Sequence, residues 1–108
     1  MTWHRAELID QADAFFSSAG SAVMKLTPLA AADACEIASE RGALVVRVEG
    51  GIWHAPGFEA RVDCIWDGED PPLADSQVRE NNREAANFIR SESASHSAFV
   101  LTVCSNPR

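Results

Sequence analysis

The sequence predicts an α+β fold: a small three- to four-stranded, mainly antiparallel sheet with two helices packed on it, plus an extra N-terminal helix. Three observations carry this. Apolar residues recur at helical spacing in three segments, two neighbouring segments between residues 43 and 66 alternate at the strand period, and a closing run from Ala98 to Cys104 is almost continuously apolar. A chain of 108 residues can bury one core, and 46% apolar against 23% charged residues excludes the composition of a disordered chain.

In chain order, Leu8, Ile9, Ala12, Phe15, Phe16 and Ala19 form an apolar stripe between Thr2 and Ser18, with Arg5, Glu7, Asp10 and Asp13 on other faces. This is the pattern of an amphipathic helix. Ser17, Ser18, Gly20 and Ser21 then break it before Met24. Thr27 suits an N-cap, Pro28 the first helical position and Gly42 a left-handed terminator, so a second helix runs from about Pro28 to Arg41. Its inward face is Ala30, Ala34, Ile37 and Ala38, with Cys35 beside it.

From Ala43 to Glu49, Leu44, Val46 and Val48 alternate with Val45, Arg47 and Glu49; from Phe58 to Trp66, Phe58, Ala60, Val62, Cys64 and Trp66 share one side. The two strands make a hairpin, and the paired Gly50 and Gly51 read as a turn. The stretch Asp67 to Asp75 holds Gly68, Pro71 and Pro72 among acidic residues and is expected as an exposed loop. A third helix over about Val78 to Glu92 buries Val78, Asn82, Ala85, Ala86 and Ile89, with Ser76 or Asn81 as its cap. The final apolar strand belongs in the middle of the sheet, and the expected strand order is second, first, third.

The net charge of −7 disfavours direct nucleic-acid binding and favours a basic partner. Residues 59–80 carry seven acidic and two basic side chains, so most of the field originates in one segment. Cys35, Cys64 and Cys104 show no metal-ligand spacing and cannot all pair with one another, which suits a reducing compartment. No segment has the pattern of a secretion signal or a membrane span, and the cytoplasm is the expected location. His4, His54 and His96 lie in different elements without the spacing of a metal site or a nucleophile–base pair. No catalytic residue, metal or cofactor is therefore expected. A small enzyme using His54 with Asp63 or Glu59 is the rival reading, and no nucleophile pattern accompanies that pair.

The segment from Gly50 to Phe58 places Trp53 and His54 between glycine and proline, where Trp53 either covers the core or anchors an interface. From Met24 to about Val103 the chain resembles the immunity protein of the E-group colicin that cuts tRNA anticodon loops. The resemblance rests on Met24-Lys25-Leu26-Thr27-Pro28, the Gly50-Gly51-x-Trp53-x-x-Pro56-Gly57-Phe58 segment, Trp66, Glu80-Asn81-Asn82-Arg83, and Ala98-Phe99. It implies a protein that binds the ribonuclease domain of a colicin-like toxin and occludes its anticodon cleft. It also divides the chain into an extension, residues 1–23, and an immunity-protein-like domain, residues 24–108. From charge and exposure, the expected toxin-binding residues are Trp53, His54, Asp63, Asp67, Glu69, Asp70 and Glu80, acting as an acidic mimic of RNA. The alternative is an orphan interaction module of the same fold, homodimeric through residues 1–23.

Overall fold

Thr27 begins the first long helix as its side chain predicts: Thr27 Oγ1 accepts from the Ala30 N–H at 3.2 Å, with Pro28 in the first turn. In this computed structural model, which describes residues 8–17, 24–54 and 57–105, the elements are β1 (Leu8–Ile9), α1 (Ala12–Ser17), β2 (Lys25–Leu26), α2 (Pro28–Ala38), β3 (Ala43–His54), β4 (Gly57–Asp67), α3 (Asp75–Glu92) and β5 (Ala98–Ser105). A 3-10 turn, Ser39–Arg41, extends α2, and Gly42 ends it at φ 69°. Helix α3 starts a turn earlier than expected. Neither Ser76 nor Asn81 caps it; Ala74 is the N-cap, and Gln77 Oε1 accepts from the Ala74 N–H at 2.9 Å.

The sheet has five strands in the order β1-β2-β5-β3-β4, antiparallel except for the β1–β2 pair. The expected order of the hairpin and the closing strand therefore holds, with β5 central. The two extra strands are two residues long, too short to show any period. Leu8 and Ile9 are expected in a helix from Thr2 to Ser18; they pair with Lys25 and Leu26 instead, and among the described residues of that stretch only Ala12–Ser17 is helical. Residues 2–7 and 18 of that expected helix, and the expected break apart from Ser17, which ends α1 instead, lie outside the described residues.

Gly50 and Gly51 are not a turn. They lie inside β3, opposite Phe99 and Ala98 of β5. A Cβ at Gly50 would come within 2.8 Å of the Phe99 ring and crowd Cys64 Sγ, and one at Gly51 would come within 2.8 Å of the Phe58 ring and strike the Glu59 carbonyl. Close approach, not turning, requires glycine here. The hairpin therefore extends to the His54–Gly57 pair, and the residues between lie outside the described set.

Two irregularities break the expected alternation. A register shift between Val45 and Arg47 lets Val45 and Val48 both enter the core, while Val46 is only half-buried. Along β4 the partners pass from Ala60, opposite Gly51, to Ile65, opposite Glu49, so Arg61, Val62, Asp63 and Cys64 bulge out of the ladder. Val62 is exposed within this bulge, Ala60 is exposed just before it, and Cys64 is the fully buried residue of the strand.

Helices α2 and α3 pack on each other and on the sheet through small residues: Ala30, Ala31, Ala34, Cys35 and Ala38 face Ala85, Ala86 and Ile89, with Val45, Val48, Phe99 and Leu101 beneath. Phe15 of α1 is fully buried in the same core, and Arg41 sits over the Phe16 ring and pairs with Asp13 at 3.3 Å. The Thr27 N–H donates to the Ile9 carbonyl at 2.8 Å. Residues 8–17 are thus joined to the rest of the chain by ladder, core and ion pair. Phe15→Ala is expected to lower stability by about 3–5 kcal/mol in urea denaturation, the cost of truncating a core phenylalanine. A loss below about 1 kcal/mol would show that α1 is only loosely seated.

Candidate functional site: an acidic groove and a hairpin tip

Strand β4 stops at Asp67, while β3 continues outward to Ala43, so the β3 edge beyond Arg47 has no neighbouring strand. Two buried asparagines of α3 fill that place. Asn82 Oδ1 accepts from the Val45 N–H at 3.0 Å, Asn82 Nδ2 donates to the Ala43 carbonyl at 3.0 Å, and Asn81 Nδ2 donates to the Val45 carbonyl at 2.8 Å. Asn81 Nδ2 also reaches Asn82 Oδ1 at 3.1 Å, which joins the two amides. Asn81 Oδ1 then accepts from the Glu69 N–H at 2.9 Å, and the Gly68 N–H donates to the Val46 carbonyl at 2.9 Å. A Cβ at Gly68 would lie 2.6 Å from the Val45 carbonyl and 2.7 Å from Asn81 Oδ1, so the loop needs glycine to come this close.

This clamp seats the acidic loop against the first turns of α3. Glu69, Leu73, Gln77, Glu80, Asn81 and Glu84 line a shallow groove of about 300 Å³. Glu69 and Glu80 were expected as site residues and the structure brings them together; Asp70 follows on the exposed loop. Glu84 was missed, although it is one helical turn after Glu80, a spacing that puts the two carboxylates on one face. Among the described residues none of Glu69, Asp70, Glu80 and Glu84 takes part in an ion pair. Asp67 differs: Arg47 Nε donates to it at 2.8 Å in an exposed ion pair.

Trp53 and His54 stand at the other end of the hairpin, seven residues from Arg47, roughly 23 Å at the rise of a strand. Trp53 is half-buried opposite Phe58, and its backbone N–H donates to Ser97 Oγ at 2.8 Å. His54 Nε2 lies 2.8 Å from Glu59 Oε1, and Arg61 Nε is 3.0 Å from Glu59 Oε2. Asp63 projects from the β4 bulge between the two ends. The expected residues therefore divide between a tip and a groove.

The rival reading asked for His54 beside Glu59 or Asp63, and the structure does bring His54 to Glu59. Both side chains are about half exposed, at 58% and 47%, and Arg61 is the third member rather than a nucleophile. The hydrogen bond from His54, followed by the charge of Arg61, holds the Glu59 carboxyl below its usual range. A depressed folded value means the contact contributes stability above the ordinary carboxylate range and loses it as pH falls through the lowered value. In His54→Ala, a carbon-detected NMR titration should show the Glu59 carboxyl moving back up toward 4.5. An unmoved titration would mean that Arg61 alone sets it.

Burial pushes the Cys35 thiol up to about 12, as expected of a small core residue. Cys64, Glu92 and His96 meet at the end of α3, where their ligand atoms lie within 4.8 Å of one another. The one sequence signal for this grouping is the spacing of Glu92 and His96, four residues apart.

Comparison with known proteins places the chain among proteins that bind and neutralise toxins. Residues 24–104 match the family model described as Colicin-E5 Imm protein, and the chain belongs to that family of immunity proteins. It is 57% identical over 93 residues to the immunity protein CdiI of Burkholderia pseudomallei, covering 86% of this chain and 85% of that protein. It is 33% identical over 81 residues to the colicin-E5 immunity protein of Escherichia coli, covering 74% of this chain and 98% of that one. An immunity protein is an inhibitor that binds its cognate toxin, not an enzyme. No described helix is long and apolar enough to cross a membrane.

Proposed function

We propose that this protein acts in the cytoplasm by binding the ribonuclease domain of a tRNA-cleaving, colicin-like toxin and covering its cleft with an acidic surface that imitates RNA. The observation that carries the reading is the groove of Glu69, Glu80 and Glu84, with Asp70 beside it. These carboxylates are exposed, and among the described residues none of them takes part in an ion pair. A basic cleft offers them the opposite charge. A nuclease that holds tRNA must present such a cleft.

Trp53 and His54 then act as contacts at the hairpin tip, with Trp53 offering a ring of the kind that anchors interfaces. Asp63 adds charge between tip and groove, and Asp67 acts mainly through Arg47. The alternative of an orphan homodimer built on residues 1–23 is weakened because Phe15, the centre of that apolar stripe, is spent on the chain's own core.

The first test is cleavage of tRNA by a toxin domain of the colicin-E5 type, with and without this protein. Protection is expected, and RNA turnover by this protein alone would overturn the reading. In stopped-flow association, Glu69→Gln, Glu80→Gln and Glu84→Gln together should slow binding about tenfold at low salt and flatten its salt dependence. An on-rate indifferent to both would move the interface away from the groove.

A further inference from the structure

At the opposite end of α3 from the groove, three side chains from distant parts of the sequence converge. Cys64 is carried inward by the β4 bulge and is fully buried; Glu92 closes the last turn of α3, and His96 follows it. The absence of a side chain at Gly50 admits the sulfur, since a Cβ there would crowd Cys64 Sγ. His96 Nδ1 is 3.5 Å from Glu92 Oε1, and all three ligand atoms lie within 4.8 Å of one another.

We infer that Cys64, Glu92 and His96 form a binding site for a zinc-like divalent transition-metal ion, with a fourth position open to water. Zinc bonds of about 2.0–2.3 Å in a tetrahedron put ligand atoms about 3.3–3.5 Å apart, so the Glu92–His96 separation of 3.5 Å already fits and the sulfur, within 4.8 Å of both, has to close by about 1.3 Å at most. Thiolate, imidazole and carboxylate together suit zinc or cobalt rather than calcium or magnesium. The electrostatics favour a cation as well. Glu92 lies at the negative end of the α3 dipole, and the charges acting on Cys64, those of Glu92 and Asp63, are both negative. On binding, the Cys64 S–H bond breaks, its proton passes to solvent, and the sulfur bonds to the metal as a thiolate. His96 and Glu92 are 12% and 33% exposed, which gives an ion a way in beside the buried sulfur. A bound ion would pin the β4 bulge to the end of α3, a structural role separate from toxin binding.

Cobalt(II) is the probe, because a thiolate ligand gives a charge-transfer band in the near ultraviolet and a tetrahedral site gives visible bands. The full chain should bind one equivalent with both signatures, and saturating zinc should raise its melting temperature by about 10 °C at a hundredfold excess over Kd. His96→Gln and Glu92→Gln should each weaken binding by about a hundredfold, and Cys64→Ala should abolish the thiolate band. Cys104→Ser, at the thiol outside the cluster, should leave cobalt binding unchanged. Absence of the thiolate band at saturating cobalt, its persistence at full strength in His96→Gln, or its loss in Cys104→Ser would overturn the site. The two glutamate and histidine variants keep the test decisive even if Cys64→Ala fails to fold.

Discussion

The structure depends on a pair of side-chain amides that stand where a strand is missing. β3 extends past the end of β4, and its exposed edge at Ala43 and Val45 would be left unpaired beneath α3. Asn81 and Asn82 satisfy it with three hydrogen bonds to the backbone, and no described buried side-chain polar atom lacks a partner. Leaving one such buried group unpaired costs roughly 1–3 kcal/mol, so both asparagines are held in place by the strand they complete. Because they are adjacent on the helix, they also fix its rotation. Val78, Ala85, Ala86 and Ile89 are then directed into the core and Glu80 and Glu84 away from it.

The same clamp connects stability to function. Asn81 spends its remaining oxygen on the Glu69 amide, and Gly68 bonds to Val46, so the acidic loop is tied to the sheet at two successive residues. A loop with Pro71 and Pro72 could otherwise present its carboxylates in many arrangements, and ordering them on binding would cost entropy. Pre-set carboxylates can meet a basic surface without that loss. The fold therefore holds Glu69, Glu80 and Glu84 together along one groove. Arg47, by contrast, takes Asp67 out of that set, and Glu59 is similarly engaged by His54 and Arg61.

Much of this was legible in the sequence where one residue determines its own surroundings. Thr27, Pro28 and Gly42 bounded α2 because capping, fixed φ and positive φ are local properties. The α3 face and the central position of β5 followed from periodicity and from an apolar run. What escaped was set by contacts between distant segments. Leu8–Ile9 became a strand because Lys25–Leu26 offered an edge, overriding a helical stripe that had six matching residues. Gly50 and Gly51 looked like a turn because glycine is shared by turns and crowded strands, and only the positions of Cys64, Phe58 and Phe99 distinguish the two. The β4 bulge, which leaves Val62 exposed, was hidden for the same reason. At the site, the acidic segment was visible as charge, but its split into paired and unpaired carboxylates was not. The Glu-Asn-Asn-Arg run that carried the family resemblance proved to hold the anchoring asparagines.

The central claim is that Asn81 positions the acidic loop for the partner. Asn81→Ala, compared with the unaltered protein by amide exchange and by toxin titration, tests it most directly. The account predicts that the Glu69 amide loses its protection and that association with a colicin-E5-type toxin domain weakens by about tenfold, while the amides of β5 stay protected in the folded protein. A variant that exposes the Glu69 amide yet binds the toxin unchanged, or that leaves that amide protected, would contradict it.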